Sequence, residues 1–235
     1  WLVLARSVAK QATLTDLDTS VAMEMTLSQE GQKVSVVSDM DLKCSGINTP
    51  DMKYATDSAM TVSALGITQQ LDMQTYYYDG WCYTDMIGEK YKYATDLSTI
   101  MNSLQQNMNT SNLTAAQMLD LSMTEENGQT VLAFTADPTQ MNEQVKEALG
   151  LIGDQLASLG EIAMDVHDVH GTYTINKDGY YTAAHVIMSY EMSILGISIP
   201  VDADIHMTFN NPGEPVNVEL PDLSAYNEIE LPEAD

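Results

Sequence analysis

Side chains able to ligate a metal, form a disulfide or wall in an apolar guest are few in this chain, and their spacing decides between those chemistries. His170, His185 and His206 lie in segments where apolar and polar residues alternate. Each therefore sits on a strand and points away from the apolar side. A turn over Asn176-Lys177-Asp178-Gly179 sets His170 opposite His185, and a turn at Leu195-Gly196 sets His185 opposite His206. Asp168 and Asp204 fall nearby. Imidazole with carboxylate is competent for zinc or a similar divalent ion. Adjacent strands lie about 4.8 Å apart, so a row of three imidazoles is too long for a compact tetrahedron. The sequence reading is therefore no metal site and no cofactor: a solvated acidic face that carries these three histidines as its only metal candidates.

Cys44 and Cys82 fall on the apolar sides of the second and fifth strands. In a simple meander they are about 14 Å apart, beyond disulfide reach. Two buried free thiols are expected. A catalytic thiol needs a nearby base and an electropositive setting, and neither is specified. The chain has no Gly-x-Ser-x-Gly elbow, phosphate loop or His-Glu-x-x-His, so no enzyme is expected.

Methionine is the third signal: 16 Met against 2 Phe and 2 Trp. Thioether side chains are unbranched and polarizable and adapt to irregular partners. Met23, Met25, Met40, Met60, Met73, Met188, Met192 and Met207 all fall on the apolar parity of their strands. They make either a wall for an acyl or other apolar guest or an ordinary core filled by helices.

The elements that position these residues follow from period and turn chemistry. Residues 1–12 read as a helix. Residues 19–93 read as an antiparallel meander. Its turns are Ser28-Gln29-Glu30-Gly31 (with Leu27 opposite Gln32), Leu65-Gly66 and Asp79-Gly80. Helical spacing runs from Asp96 through Leu97, Ile100, Met101, Leu104 and Met108, and a second helix carries Ala116, Met118 and Leu119, so 96–122 is read as helices. A hairpin over 123–136 turns at Glu126-Asn127-Gly128. The helix over 137–159 has Asp137 as N-cap, Pro138 in its first turn, Gln140 completing a capping box, and a stripe of Met141, Val145, Ala148, Leu149, Ile152, Leu156 and Leu159. That stripe must lie on something apolar, and the sheet's inner face is available. A second meander covers 161–209, and a Pro-punctuated tail, 210–235, is expected to be extended. Ser63–Thr68 resembles Ser193–Ser198, and Thr26–Gly31 resembles Thr174–Gly179. Two meanders with helices between them imply one curved sheet in a single domain.

Composition narrows the class. The formal charge is −25, from 9 basic and 34 acidic residues. That excludes nucleic-acid binding through phosphate neutralisation and basic adhesion to anionic lipid. With 44% hydrophobic and 18% charged residues the chain is not an acidic disordered tail. No apolar run is long enough to span a bilayer as a helix. Trp1 is an unusual first residue, and a removed leader or anchor is expected ahead of it.

Three stretches complete the reading: Tyr78-Asp79-Gly80-Trp81-Cys82-Tyr83, then Gly88-Glu89-Lys90-Tyr91-Lys92, and the closing Val218-Glu219-Leu220-Pro221. With the Met-rich strands, they resemble uncharacterised surface lipoproteins of Gram-positive bacteria with a LolA-like fold. The resemblance implies an α+β domain: an unclosed antiparallel half-barrel with helices covering its concave face. It also implies a lipid-anchored, extracytoplasmic monomer at the cell surface, in contact with membrane only through its anchor. The role implied is non-enzymatic carriage of an apolar or lipid ligand. The alternative is a structural or protein-interaction module with a fully packed core.

Overall fold

Alternating apolar residues build strands only when turns bring them into register, and here the turns are tight. The computed structural model describes residues 1–29, 31–100, 117–142, 162–194 and 197–230. Its strands are Leu17–Gln29 (β1), Gln32–Ser45 (β2), Lys53–Ala64 (β3), Ile67–Tyr78 (β4), Trp81–Met86 (β5), Glu89–Ala94 (β6), Met118–Glu126 (β7), Gln129–Ala136 (β8), Ile162–Ile175 (β9), Tyr181–Ile194 (β10), Ile197–Phe209 (β11) and Asn227–Glu228 (β12). A helix, Leu2–Gln11 (α1), precedes them. At Leu65-Gly66, Asp79-Gly80, Ile87-Gly88 and Asn127-Gly128 both turn residues have positive φ. That mirror-image turn matches the right-handed twist of a hairpin.

The twelve strands form one sheet in the order β12-β6-β5-β4-β3-β2-β1-β11-β10-β9-β8-β7. The two meanders join where β1 pairs antiparallel with β11. The sheet ends on β7 and β12 and does not close, which is the half-barrel expected. One face carries the two cores. The first contains Leu4 of α1 with Leu132, Phe134, Val169, Tyr173 and Tyr181. The second contains Leu17, Leu42, Cys44, Met52 and Tyr77.

Of the expected helices, residues 97–100 and 138–142 are described, and both stretches are helical. Asp96 caps the first, its Oδ1 accepting from the Thr99 N–H at 2.8 Å. Asp137 caps the second, accepting from the Thr139 N–H at 2.9 Å. Leu97 and Ile100 pack on the second core and Met141 on the first. The remaining stripe residues, the Ala116 part of the second helix and the Leu195-Gly196 turn lie outside the described residues.

Several expectations are corrected. Met118 and Leu119 belong to strand β7, so the hairpin begins five residues earlier than 123. β6 is an additional strand behind the Ile87-Gly88 turn, and β1 starts at Leu17. The β1–β2 connection is shorter than expected, since Gln29 pairs with Gln32 and Leu27 with Val34. The turn after β9 is longer: Ile175 pairs with Tyr181, and the Asn176 Oδ1 accepts from the Asp178 and Tyr180 N–H groups. A bulge between Tyr181 and Ala183 adds a second residue. Together these set His170 opposite Ile187 and His185 opposite Thr172. The repeat of Thr26–Gly31 in Thr174–Gly179 is thus one of residue types, not of turn geometry.

The tail is not merely extended. It crosses the convex face from β11 to the far edge, where a 3-10 turn, Leu223–Ala225, leads into β12, parallel to β6. Val218 and Tyr226 are buried by the crossing, and Tyr226 meets Tyr83 edge-on at 5.4 Å. Truncating a buried aromatic costs about 3 kcal/mol. Tyr226→Ala should lower unfolding stability by that amount in urea titrations. A loss under about 1 kcal/mol would mean that the strap is not docked.

Candidate functional site

The inner face is assembled by register. Met40 lies beside Val21 and Ser58, and Met60 beside Ser38 and Leu71. Met23 and Met25 lie opposite Ile205 and Ala203 across the seam between the two meanders. Met207 pairs with Val21 and Ala184, and Met188 with Ala203 and Val169. All eight expected methionines therefore share the face that carries the cores. Two more join them: Met73 faces Met86, and Met192 faces Met164. Met86 continues the parity of Cys82 and Thr84 and was readable in β5. Met164 was hidden, because an irregularity between the Ser189 and Tyr190 pairs shifts the parity of β9 from odd at Val169 to even at Val166.

Burial along this face is graded. At the end bearing the starts of β1 and β5, one row runs Leu17, Cys44, Tyr54, Tyr77, Cys82 and Tyr93 across six strands. Cys44 is 0% exposed and Cys82 2%. Both are free thiols, as expected. Burial, with Asp16 nearby, pushes the Cys44 thiol up to about 12, and burial also raises Cys82. Toward the opposite end Met23, Met25, Met40, Met60, Met188, Met192 and Met207 are half-buried. There Met73, Ile67 and Ile197 are 37%, 66% and 51% exposed. The face is sealed at one end and thinly covered at the other. Near the sealed end the side-chain polar atoms of Gln11 and Thr19 and the Tyr181 hydroxyl are buried, with no hydrogen-bond partner among the described residues. Buried polar groups without a partner call for water or a ligand's polar end. The Tyr190 hydroxyl, by contrast, donates to the Met25 sulfur at 3.8 Å.

Residues 3–224 match the model of a family described as a family of unknown function, DUF6612. The chain belongs to that family. No curated protein matches this DUF6612 member in sequence. Among solved structures it is similar to LprF from Mycobacterium bovis, at 14% identity and a TM-score of 0.47, covering 94% of this chain and 95% of that one. It is also similar to the lipoprotein LppX from Mycobacterium tuberculosis, at 14% identity and a TM-score of 0.40, covering 93% and 98%. Likeness at this level carries no functional argument.

The convex face of the DUF6612 chain is chemically different. Between strap and sheet lies an open cleft of about 1070 Å³, lined by Asp18, Asp41, Lys43, Asp57, Tyr76, Glu214 and Glu219 among others. Five of its fifteen lining residues are carboxylates against one lysine, and no local pattern signals the cleft, because the strap's path is set by contacts remote along the chain. The expected histidine row is broken on this face: His170 sits with Asp168, its Nδ1 2.8 Å from the Asp168 Oδ2, while His185 and His206 remain opposite each other.

Proposed function

We propose that this DUF6612 chain binds an apolar, acyl-bearing molecule on the inner face of its half-barrel. The observation that carries the reading is the gradient: a row with Leu17, Cys44, Tyr77 and Cys82 buried at one end, and a broad, half-buried thioether wall beyond it. Flexible thioethers suit a guest of variable shape better than a rigid aliphatic core would. The Gln11, Thr19 and Tyr181 groups, without a partner among the described residues, would receive a polar head or its water. Apolar surface with a few convergent polar groups is the usual composition of a small-molecule site. The role is non-enzymatic, and an extracytoplasmic, lipid-anchored setting rests on the resemblance to surface lipoproteins.

Lipid extraction and mass spectrometry of the purified protein, with calorimetric titration of a fatty acid, test this. Saturable binding is expected. Met40→Glu or Met188→Glu should weaken it by at least about tenfold, or 1.4 kcal/mol, because the carboxylate must be desolvated against the guest. Val37→Glu, on the convex side of β2, should leave it unchanged. No extracted lipid and no heat of binding would remove the reading. That result would favour the second one, an interaction module acting through the acidic cleft beneath the strap.

A further inference from the structure

The convex face carries a cluster that the apolar reading does not use. Asp204 and His206 are two apart on β11, so their side chains leave the same face about 6.6 Å apart. His185 lies directly opposite His206 on β10. The two imidazoles stack with centroids 3.9 Å apart and planes at 13°. Both aim Nε2 at one atom: the Asp204 Oδ1 is 2.7 Å from that of His185 and 3.1 Å from that of His206. One ligand atom from each residue falls within 4.8 Å of the others. On the neighbouring strand β1, Glu24 is the residue opposite Asp204.

We propose that His185, Asp204 and His206 form a surface site for a divalent cation of the zinc class, with Glu24 or water completing the coordination. Tetrahedral zinc, at about 2.0–2.1 Å from nitrogen and oxygen ligands, sets those ligands about 3.3 Å apart. The observed cluster brackets that spacing, and a rotation of the Asp204 carboxylate brings it into range. The donor set of two imidazoles and a carboxylate favours zinc, copper or nickel over magnesium and calcium, which take oxygen shells. The surroundings favour any cation: His206 also lines a hollow of about 330 Å³ with Asp39, Asp41 and Asp57, in a chain of net charge −25. The cluster is solvent-accessible, with the His206 side chain 60% exposed, so an ion can enter without opening the fold. Through Glu24 the ion would also tie β10 and β11 to β1, across the seam of the two meanders.

This inference is independent of ligand binding on the inner face. The test is calorimetric titration of the full, chelator-treated chain with zinc chloride, alongside magnesium chloride and the melting temperature. Saturable one-to-one zinc binding and an upward melting shift are expected, with no response to magnesium at equal concentration. His185→Ala and His206→Ala should each weaken zinc binding by more than about tenfold, the effect of removing even a supporting group. His170→Ala, on the separate pair with Asp168, should not. Circular dichroism checks that the variants fold, His206 being exposed and His185 half-buried. Cobalt titration gives a second readout, since His–carboxylate ligation produces a visible absorption band that the His185→Ala/His206→Ala variant should lose. Absence of saturable zinc binding, equal affinity in that double variant, or equal binding of magnesium would each overturn the proposal.

Discussion

Gly171→Ala should be among the most destabilising single-methyl additions available to this chain. Gly171 lies on β9 between Phe134 of β8 and Val186 of β10. A Cβ built there would lie 2.1 Å from the His185 carbonyl oxygen and 3.1 Å from the tip of the Phe134 ring. The nearer obstacle is backbone, held in a ladder on both sides, so no rotamer relieves it. Ordinary overpacking costs about 1–3 kcal/mol, and this site belongs at or above the upper end. Urea unfolding of Gly171→Ala measures it. The double variant Gly171→Ala/Phe134→Ala separates the two obstacles. Recovery in the double variant would mean that the ring, and not the strand, sets the limit; no recovery is expected. Gly80→Ala gives the contrast: nothing lies within 4 Å, so only its φ of 78° resists, at about 1 kcal/mol. A Gly171→Ala loss no larger than that of Gly80→Ala would sink the claim. The same substitution pushes on the strand that carries His185, so zinc affinity should fall with stability.

The contrast between face and partner explains what could be read from residues alone. Parity is local: Met23, Met25 and Leu27 alternate with Ala22, Glu24 and Thr26, and period two survives any even slip. Both register errors were even. The β1–β2 turn is two residues tighter, and the β9–β10 junction gains Tyr180 in the turn and Thr182 in the bulge. The inner face was therefore right while the partners of His170 and Leu27 were wrong. β6 was missed because Ile87, β-branched, sits at φ 55°, where sequence rules expect Asn, Asp or Gly. Met118 and Leu119 mimic a helical run because the irregularity between Met118 and Asp120 interrupts the period of two at the start of β7. The β1–β11 seam and the strap have no local signal at all. The acidic cleft depends on the strap and could not be seen, whereas His185, Asp204 and His206 lie on the paired strands β10 and β11 and could be sketched from their spacing.

The sealed end predicts an alkaline transition. For Cys44, Tyr54, Cys82 and Tyr93, ionisation would place a charge among buried and half-buried rings and thiols. Burial pushes Cys44 up to about 12 from an ordinary value near 9, and Tyr54 up to about 12 from near 10. Cys82 and Tyr93 are raised for the same reason. A folded-state value above the unfolded one means that the unfolded chain loses its proton first. The contribution of Cys44 is therefore complete below pH 9, falls as pH rises from there, and is gone by about pH 12. Each such group can remove about 1.4 kcal/mol per pH unit inside its window. Thiols enter at about pH 9 and phenols at about 10, so the decline should steepen in two stages. Urea midpoints at pH 7, 9, 10 and 11 should fall in that order, and a thiol reagent should label Cys44 and Cys82 only as the protein unfolds. Cys44→Ala/Cys82→Ala should flatten the first stage and keep the second. A profile level through pH 10 would show that the two thiols are reached by water in the folded protein, and would open the end of the half-barrel that the graded wall requires to be closed.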